Sequence, residues 1–136
     1  MKLILVGKAA AGKDFLKTRL SSRGFKAGVS HTTRPPRDTE VDGKDYYFVT
    51  ENQFKEMIVG AEFIEYMEFN GWYYGQTEID FNSADVMIMS KDGLDMLPKK
   101  YRNQCMVLYL DPPRITRVER LEHRNDINDS IMRRMD

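Results

Sequence analysis

Apolar residues recur along this chain in two rhythms, short unbroken runs and helical spacings, and the boundaries between them predict its elements. Leu3-Ile4-Leu5-Val6 is an unbroken run of the kind that forms a strand buried on both faces, and it ends at Gly7. Asp14 to Ser22 reads as a helix with Phe15, Leu16 and Leu20 as its apolar contacts, stopped by Arg23-Gly24. Residues 27–39 are polar, and Pro35-Pro36 forces them onto an extended path. Val41-Asp42-Gly43 is a turn before a short aromatic strand, Lys44 to Val49. Thr50-Glu51-Asn52-Gln53 has the form of a capping box, opening a helix that presents Phe54, Met57 and Ile58 on one face and ends at Gly60. Phe63 to Tyr66 and Trp72 to Tyr74 predict two strands joined through Asn70-Gly71. Asp85 to Met89 and Met106 to Leu110 are further buried-strand runs, separated by a short helix or turn that ends at Pro98. Pro112-Pro113 suits the start of a last helix, with Ile115, Val118 and Leu121 on its apolar face. No segment repeats and none is of low complexity.

The first strand leads directly into candidate chemistry. Gly7-Lys8-Ala9-Ala10-Ala11-Gly12-Lys13 has the spacing G-x-x-x-x-G-K of a phosphate-binding loop. Glycines let the backbone curl so that several N–H groups converge on one anion. The following helix adds the positive end of its dipole, and Lys13 adds a full charge. A strand in front and a helix behind are the context this motif requires, so the segment predicts nucleotide binding.

Composition narrows this reading without redirecting it. At 136 residues the chain is expected to form one domain with a single core. Its 21 basic and 21 acidic residues cancel, which gives no support for a nucleic-acid or membrane-surface partner. The single cysteine, Cys105, excludes an intrachain disulfide and fits a reducing cytoplasm; lying in an apolar run, it reads as a buried structural thiol. The N-terminal apolar run is too short for a signal peptide, and no run reaches membrane-spanning length.

The middle of the chain carries a resemblance. Ser30-His31-Thr32-Thr33-Arg34-Pro35-Pro36-Arg37, then Glu40-Val41-Asp42-Gly43-Lys44-Asp45-Tyr46, then Glu62-Phe63-Ile64-Glu65, then Tyr73-Tyr74-Gly75 closely resembles the GMP-binding region of guanylate kinases. Four ordered motifs behind a phosphate loop are far more specific than the loop alone, and the likeness runs from Leu3 to about Arg134. It implies an α/β fold: a P-loop NTPase-type parallel sheet flanked by helices, with an inserted mixed α/β GMP-binding region and a short lid. The single domain would then have core residues 1–28 and 77–136, an insert at 29–76 and a lid at about 124–132. The activity implied is transfer of the terminal phosphoryl group of ATP to GMP or dGMP with Mg2+.

Residue by residue, the resemblance implies that Gly7, Lys8, Ala9, Ala10, Ala11, Gly12, Lys13 and Asp14 hold ATP. Arg34 and Arg37, with the hydroxyls of Tyr46 and Tyr74, would clamp the acceptor phosphate; two arginines around stiffening prolines suit bidentate capture. Ser30 and Glu65 would read the base, since a carboxylate matches the paired N–H donors that guanine has and adenine lacks. Gln76 and Ser90 fall at further GMP-binding positions. Arg120 and Arg124 match the pattern leading into the lid and Arg134 the arginine on its far side, which would make them catalytic beside Lys13 by stabilising charge on the transferring group. Arg114 and Arg117 have no motif support and read as surface residues.

Four departures from the family pattern qualify the expectation. Asp14 stands where most phosphate loops carry the Ser or Thr that ligates Mg2+; a carboxylate is also a hard oxygen ligand but adds negative charge beside the triphosphate. Ser90 falls where a base-contacting Asp is expected. Gln76 replaces a small hydroxyl residue, and the usual long helical crossover is cut to eight residues before Asp85. The resemblance also implies a C-terminus shortened at Asp136, ahead of the last strand and helix that help hold adenine. Two alternatives therefore stay open: a catalytically inactive binding module on this fold, and a kinase for a different (deoxy)nucleoside monophosphate. The oligomeric state is not legible.

Overall fold

The computed structural model describes residues 1–8, 10–113 and 115–116. Its elements follow the order β1 (Lys2–Gly7), α1 (Lys13–Ser22), β2 (His31–Thr32), β3 (Tyr47–Phe48), α2 (Glu51–Val59), β4 (Phe63–Phe69), β5 (Trp72–Thr77), α3 (Glu78–Ser83), β6 (Val86–Ile88), α4 (Lys91–Met96), α5 (Lys99–Arg102) and β7 (Cys105–Leu110).

The described strands form two sheets. The first is parallel, ordered β6-β1-β7, with Leu3 opposite both Val86 and Met106. This register explains why Ile4, Leu5 and Val6 are buried: β1 is the central strand and carries neighbours on both sides. The core beneath it collects Ile4, Val6, Phe81, Met87, Met89, Leu94, Leu97, Tyr101 and Cys105. Cys105 is buried as expected; its Sγ donates to the Tyr101 carbonyl at 3.4 Å, and burial raises its pKa.

The second sheet is mixed, ordered β3-β2-β5-β4, and is built wholly from residues 31–77. β4 and β5 make an antiparallel hairpin through Asn70-Gly71, both with positive φ. Phe54 anchors this region: it is fully buried, stacks on Phe63 at 4.5 Å between ring centroids and lies 5.3 Å from Tyr73. Burying such a ring contributes roughly 1.5–3 kcal/mol. Its helix α2 starts with the expected capping box, Thr50 and Gln53 exchanging side chain-to-backbone hydrogen bonds at 3.1 and 2.8 Å.

Two local expectations change. Phe15 is not an apolar contact of α1: it is 70% exposed and flanked by the Arg19 guanidinium, because α1 turns its Leu16 side toward β1 and β6. β7 is not buried along its length, since it flanks β1 on one side only and exposes Met106, Leu108 and Tyr109. The shortened crossover to β6 still holds a helix, the six-residue α3, which the sequence reading did not include; Thr77 caps it by accepting from Asp80 N, and Phe81 fixes it in the core. As expected, the short helix α4 ends just before Pro98, with Leu97 as its C-cap, and Pro98 then serves as the N-cap of a further helix, α5. Ile115 and Thr116 are helical after Pro112-Pro113, while Val118, Leu121 and the expected lid at 124–132 lie outside the described residues.

Candidate active site

In a parallel sheet, ligands collect at the carboxyl ends of the strands, where the order reverses around the first strand. Here β1 ends at Gly7, β6 leads into Met89-Ser90 and β7 into Leu110-Asp111, and all three ends line one cavity of about 640 Å³. The insert forms the opposite wall through Ser30, Arg34, Arg37, Tyr46, Glu65 and Tyr74.

The loop after β1 is backbone chemistry. Gly12, the residue before α1, has φ 102°, a left-handed conformation that glycine adopts without strain. No side chain caps this end of α1, so its first-turn N–H groups stay available to an anion. Gly7, Lys8, Ala10, Ala11, Gly12, Lys13 and Asp14 line the cavity. Ala9 lies outside the described residues. The Lys13 ammonium donates to the Gly7 carbonyl at 2.5 Å, which folds the side chain back over the loop.

Side chains build the opposite wall. Thr32 donates to the Tyr73 carbonyl at 2.9 Å and accepts from Arg34 N at 3.1 Å, while Thr33 accepts from Tyr73 N at 2.9 Å. The paired threonines therefore stitch the end of β2 to β5 and aim Arg34. Its guanidinium lies 5.2 Å from the Tyr46 ring centroid, and Tyr46 and Tyr74 meet edge to face at 6.2 Å. Burial raises both phenols above their ordinary range, so each keeps its proton and can donate. Arg34, Arg37, Tyr46 and Tyr74, the four residues expected to clamp a phosphate, thus lie together on one wall.

The clamp includes a residue that the sequence did not single out. Glu40 accepts from Arg34 Nη1 at 2.9 Å and Nη2 at 3.0 Å, and from Arg37 N at 2.8 Å and Nη1 at 3.4 Å. Burial pulls the Arg34 pKa down, but the Glu40 hydrogen bond and the neighbouring Tyr46 and Tyr74 outweigh it, and the net direction is up. For Glu40 burial pulls up, yet the Arg34 hydrogen bond and the Arg37 backbone N–H bring its carboxyl below the ordinary value. Both partners are therefore ionised at neutral pH. The signal was available in sequence as an acid three residues beyond Arg37, but nothing in a polar loop marks such a residue as buried.

At the base end, Glu65 on β4 is 6% exposed, and burial pushes its pKa up to about 8 against a bond from the Gln76 backbone. Gly93 on α4 makes room for it: a Cβ there would come within 2.7 Å of Glu65 Oε2. Ser30 lines the cavity and donates to Gln76 Oε1 at 2.8 Å. Gln76 itself does not line the cavity. It is fully buried behind Ser30, and its Nε2 has no hydrogen-bond partner among the described residues. Ser90 lines the cavity as the N-cap of α4, its hydroxyl accepting from Gly93 N at 3.0 Å and donating to Met67 Sδ. Met67, Phe69, Trp72 and Asp111 also line the cavity and were not anticipated. Asp111 was findable from the strand-end rule; the hairpin residues face the cavity only because β4 pairs with β5 and α4 docks against β4. Arg120, Arg124 and Arg134 lie outside the described residues.

Comparison with known proteins agrees with this geometry. The family model described as guanylate kinase matches residues 1–135. The chain is 34% identical to the guanylate kinase of Lactobacillus acidophilus over 140 residues, which is 96% of this chain and 69% of that protein. It is 35% identical to the guanylate kinase of Sus scrofa over 144 residues, covering 98% of this chain and 72% of the relative. Its fold matches the crystal structure of guanylate kinase from Anaplasma phagocytophilum with a TM-score of 0.66 at 23% identity, over 92% of this chain and 66% of that one. The chain therefore spans about two thirds of the length of its relatives, and it belongs to the guanylate kinase family, the ATP:GMP phosphotransferases.

Proposed function

We propose that this chain transfers the terminal phosphoryl group of ATP to GMP or dGMP. The observation that carries the reading is that the phosphate loop, the Arg34–Arg37 clamp and Glu65 line a single cavity of about 640 Å³, large enough for two nucleotides to meet. In this reading, Lys13 and the N–H groups of residues 7–14 hold the donor phosphates. Arg34, Arg37, Tyr46 and Tyr74 hold the acceptor phosphate, and Ser30 and ionised Glu65 accept the guanine N–H donors, with Gln76 acting through Ser30 and Ser90 at the edge of the base pocket. Phosphoryl transfer needs no covalent chemistry from the protein, so catalysis is alignment plus stabilisation of spreading negative charge. Arg120, Arg124 and Arg134 would supply that charge from the lid.

The donor set suits Mg2+. Asp14 lines the cavity on α1 beside the phosphate loop and would offer Mg2+ a hard oxygen ligand there. The described residues contain no group of three His, Cys, Asp or Glu side chains able to cage a metal, which fits an ion bound by one carboxylate together with substrate phosphates and water. When bound, the ion neutralises phosphate charge.

Coupled ADP release with GMP, dGMP, AMP and dTMP as acceptors tests the proposal. The expected result is turnover with GMP or dGMP well above the others. Tight GMP binding without ADP release would identify a binding module, and turnover with another monophosphate would replace the substrate. As to partners beyond nucleotides, no helix among the described residues is long and apolar enough to cross a membrane. A nucleic-acid partner is not expected, and a cytoplasmic location remains part of the proposal.

A further inference from the structure

We propose that Glu40 is a positioning residue for the acceptor phosphate: its carboxylate, set behind Arg34 and Arg37, orients both guanidinium groups before a phosphate arrives. The inference rests on the reading of this wall as a monophosphate site.

A carboxylate between two arginines has two opposite interpretations. It can occupy the place of the ligand phosphate and compete with it, or it can back the arginines from the far side. The geometry points to the second. Arg34 and Arg37 line the cavity, and Glu40 does not. Its side chain is 10% exposed, and its Oε1 is tied to the Arg37 backbone N–H at 2.8 Å. Glu40 N in turn donates to the Arg37 carbonyl at 3.0 Å, so residues 37–40 close a turn upon themselves. A competitor would be free to swing away; this carboxylate is built into the turn.

The grip also leaves the arginines able to bind. The fork–fork contact uses one N–H from each terminal nitrogen of Arg34, and the Pro35 carbonyl takes a third at 3.0 Å. A guanidinium has five N–H donors, so two remain beyond this grip, one of them meeting the Tyr74 hydroxyl of the same wall. With one anion set against two cations, the assembly keeps a net positive charge toward a phosphate dianion. Two long side chains that would otherwise lose rotamer freedom on binding are already ordered. Pro35 and Pro36 stiffen the same turn.

The test compares GMP with guanosine, which shares the base and sugar but lacks the phosphate. Calorimetric titration of Glu40→Ala is expected to weaken GMP binding by at least about tenfold, the scale of loss for a misplaced binding group, while guanosine binding stays as in the parent. KM for GMP should rise more than kcat falls. Glu40→Gln keeps one acceptor oxygen and should lose less than Glu40→Ala, which separates misorientation from a collapsed turn. Tighter GMP binding in either variant would make Glu40 a competitor and overturn the proposal. Equal losses for GMP and guanosine would also overturn it, showing a general structural role. If the parent prefers a different monophosphate, the guanylate reading fails, and the same comparison between that monophosphate and its nucleoside still reads Glu40.

Discussion

The two walls of the cavity, each proposed to hold a phosphate, are built from different materials. The donor wall is one continuous piece of chain, a strand, a loop and a helix start, and its grip comes from backbone N–H groups and one lysine. The acceptor wall draws single side chains from β2, β4, β5 and the loops between them, and holds them by a shared carboxylate, paired threonines and rings that meet edge to face. A backbone cradle tolerates changes in side chains that point away from it, such as exposed Lys8, whereas Ala10 and Ala11 are buried and leave little room for a larger side chain. A side-chain clamp has no such slack, because each group must be delivered from a different element in the right orientation.

The comparison can be broken most severely at Lys13. Lys13→Ala is expected to lower ATP-dependent turnover by at least about a hundredfold, the scale for removing one charge-stabilising donor, while GMP binding persists on the other wall. Near-normal turnover in single-turnover assays would remove the donor assignment.

The next largest effect is expected at Glu65. Glu65→Gln replaces two acceptors by one acceptor and one donor, leaving a guanine N–H without a partner, and should weaken GMP binding by roughly 1–3 kcal/mol. The carboxyl also has a stability signature. Its folded pKa of about 8 lies above the usual 4.5, so over that interval the unfolded chain releases the proton first. Ionisation therefore favours unfolding, and the contribution of Glu65 to stability falls as pH rises from about 5 to about 8. Thermal unfolding of the nucleotide-free protein across that range should show the decline, and Glu65→Gln should flatten it. GMP affinity in the parent should increase over the same window, because guanine selects the ionised form.

A smaller effect is expected from the lid. Arg124→Ala should lower the rate by at least about tenfold, close to 1.4 kcal/mol of barrier, with GMP affinity changing by less than about threefold in titration. A loss of affinity as large as the loss of rate would move Arg124 from the transition state to ground-state binding. The smallest effect is expected at Gly93→Ala. The new methyl pushes against the flexible end of Glu65 at 2.7 Å, and a displacement of this kind costs on the order of 1 kcal/mol in GMP affinity. Thermal stability should fall by a similar amount, since the methyl also crowds the capping Ser90 Oγ at 3.1 Å, which offsets the helix preference of alanine. Unchanged GMP affinity would mean that Glu65 can read the base from a second position.

Where a feature depended on neighbours in sequence, it was legible. The buried β1 run, the phosphate loop and the α2 capping box each need contacts within a few residues, and the ordered motifs from Ser30 to Gly75 gave the family and the acceptor residues. The failures share one cause. Phe15 and the outer face of β7 are apolar by sequence, but whether an apolar side chain is buried depends on which elements lie across from it. The helix α3 was hidden because six residues carry too little periodicity, and it persists through one cap and the burial of Phe81.

The sequence by itself determined that this chain makes a β-strand, a phosphate loop and a helix in succession, because backbone geometry at glycines and apolar runs is a local property. It also supplied the chemical groups of the acceptor site, as an ordered set of motifs. Only the tertiary structure decided what those groups do to one another: that Glu40 stands behind the arginines, that Gln76 is buried behind Ser30, and that Glu65 is shut away from water next to a glycine. Charge, hydrogen bonding and pKa depend on distances of a few ångströms between residues far apart in the chain, and those distances are set by the pairing of β2, β4 and β5 and the docking of α4.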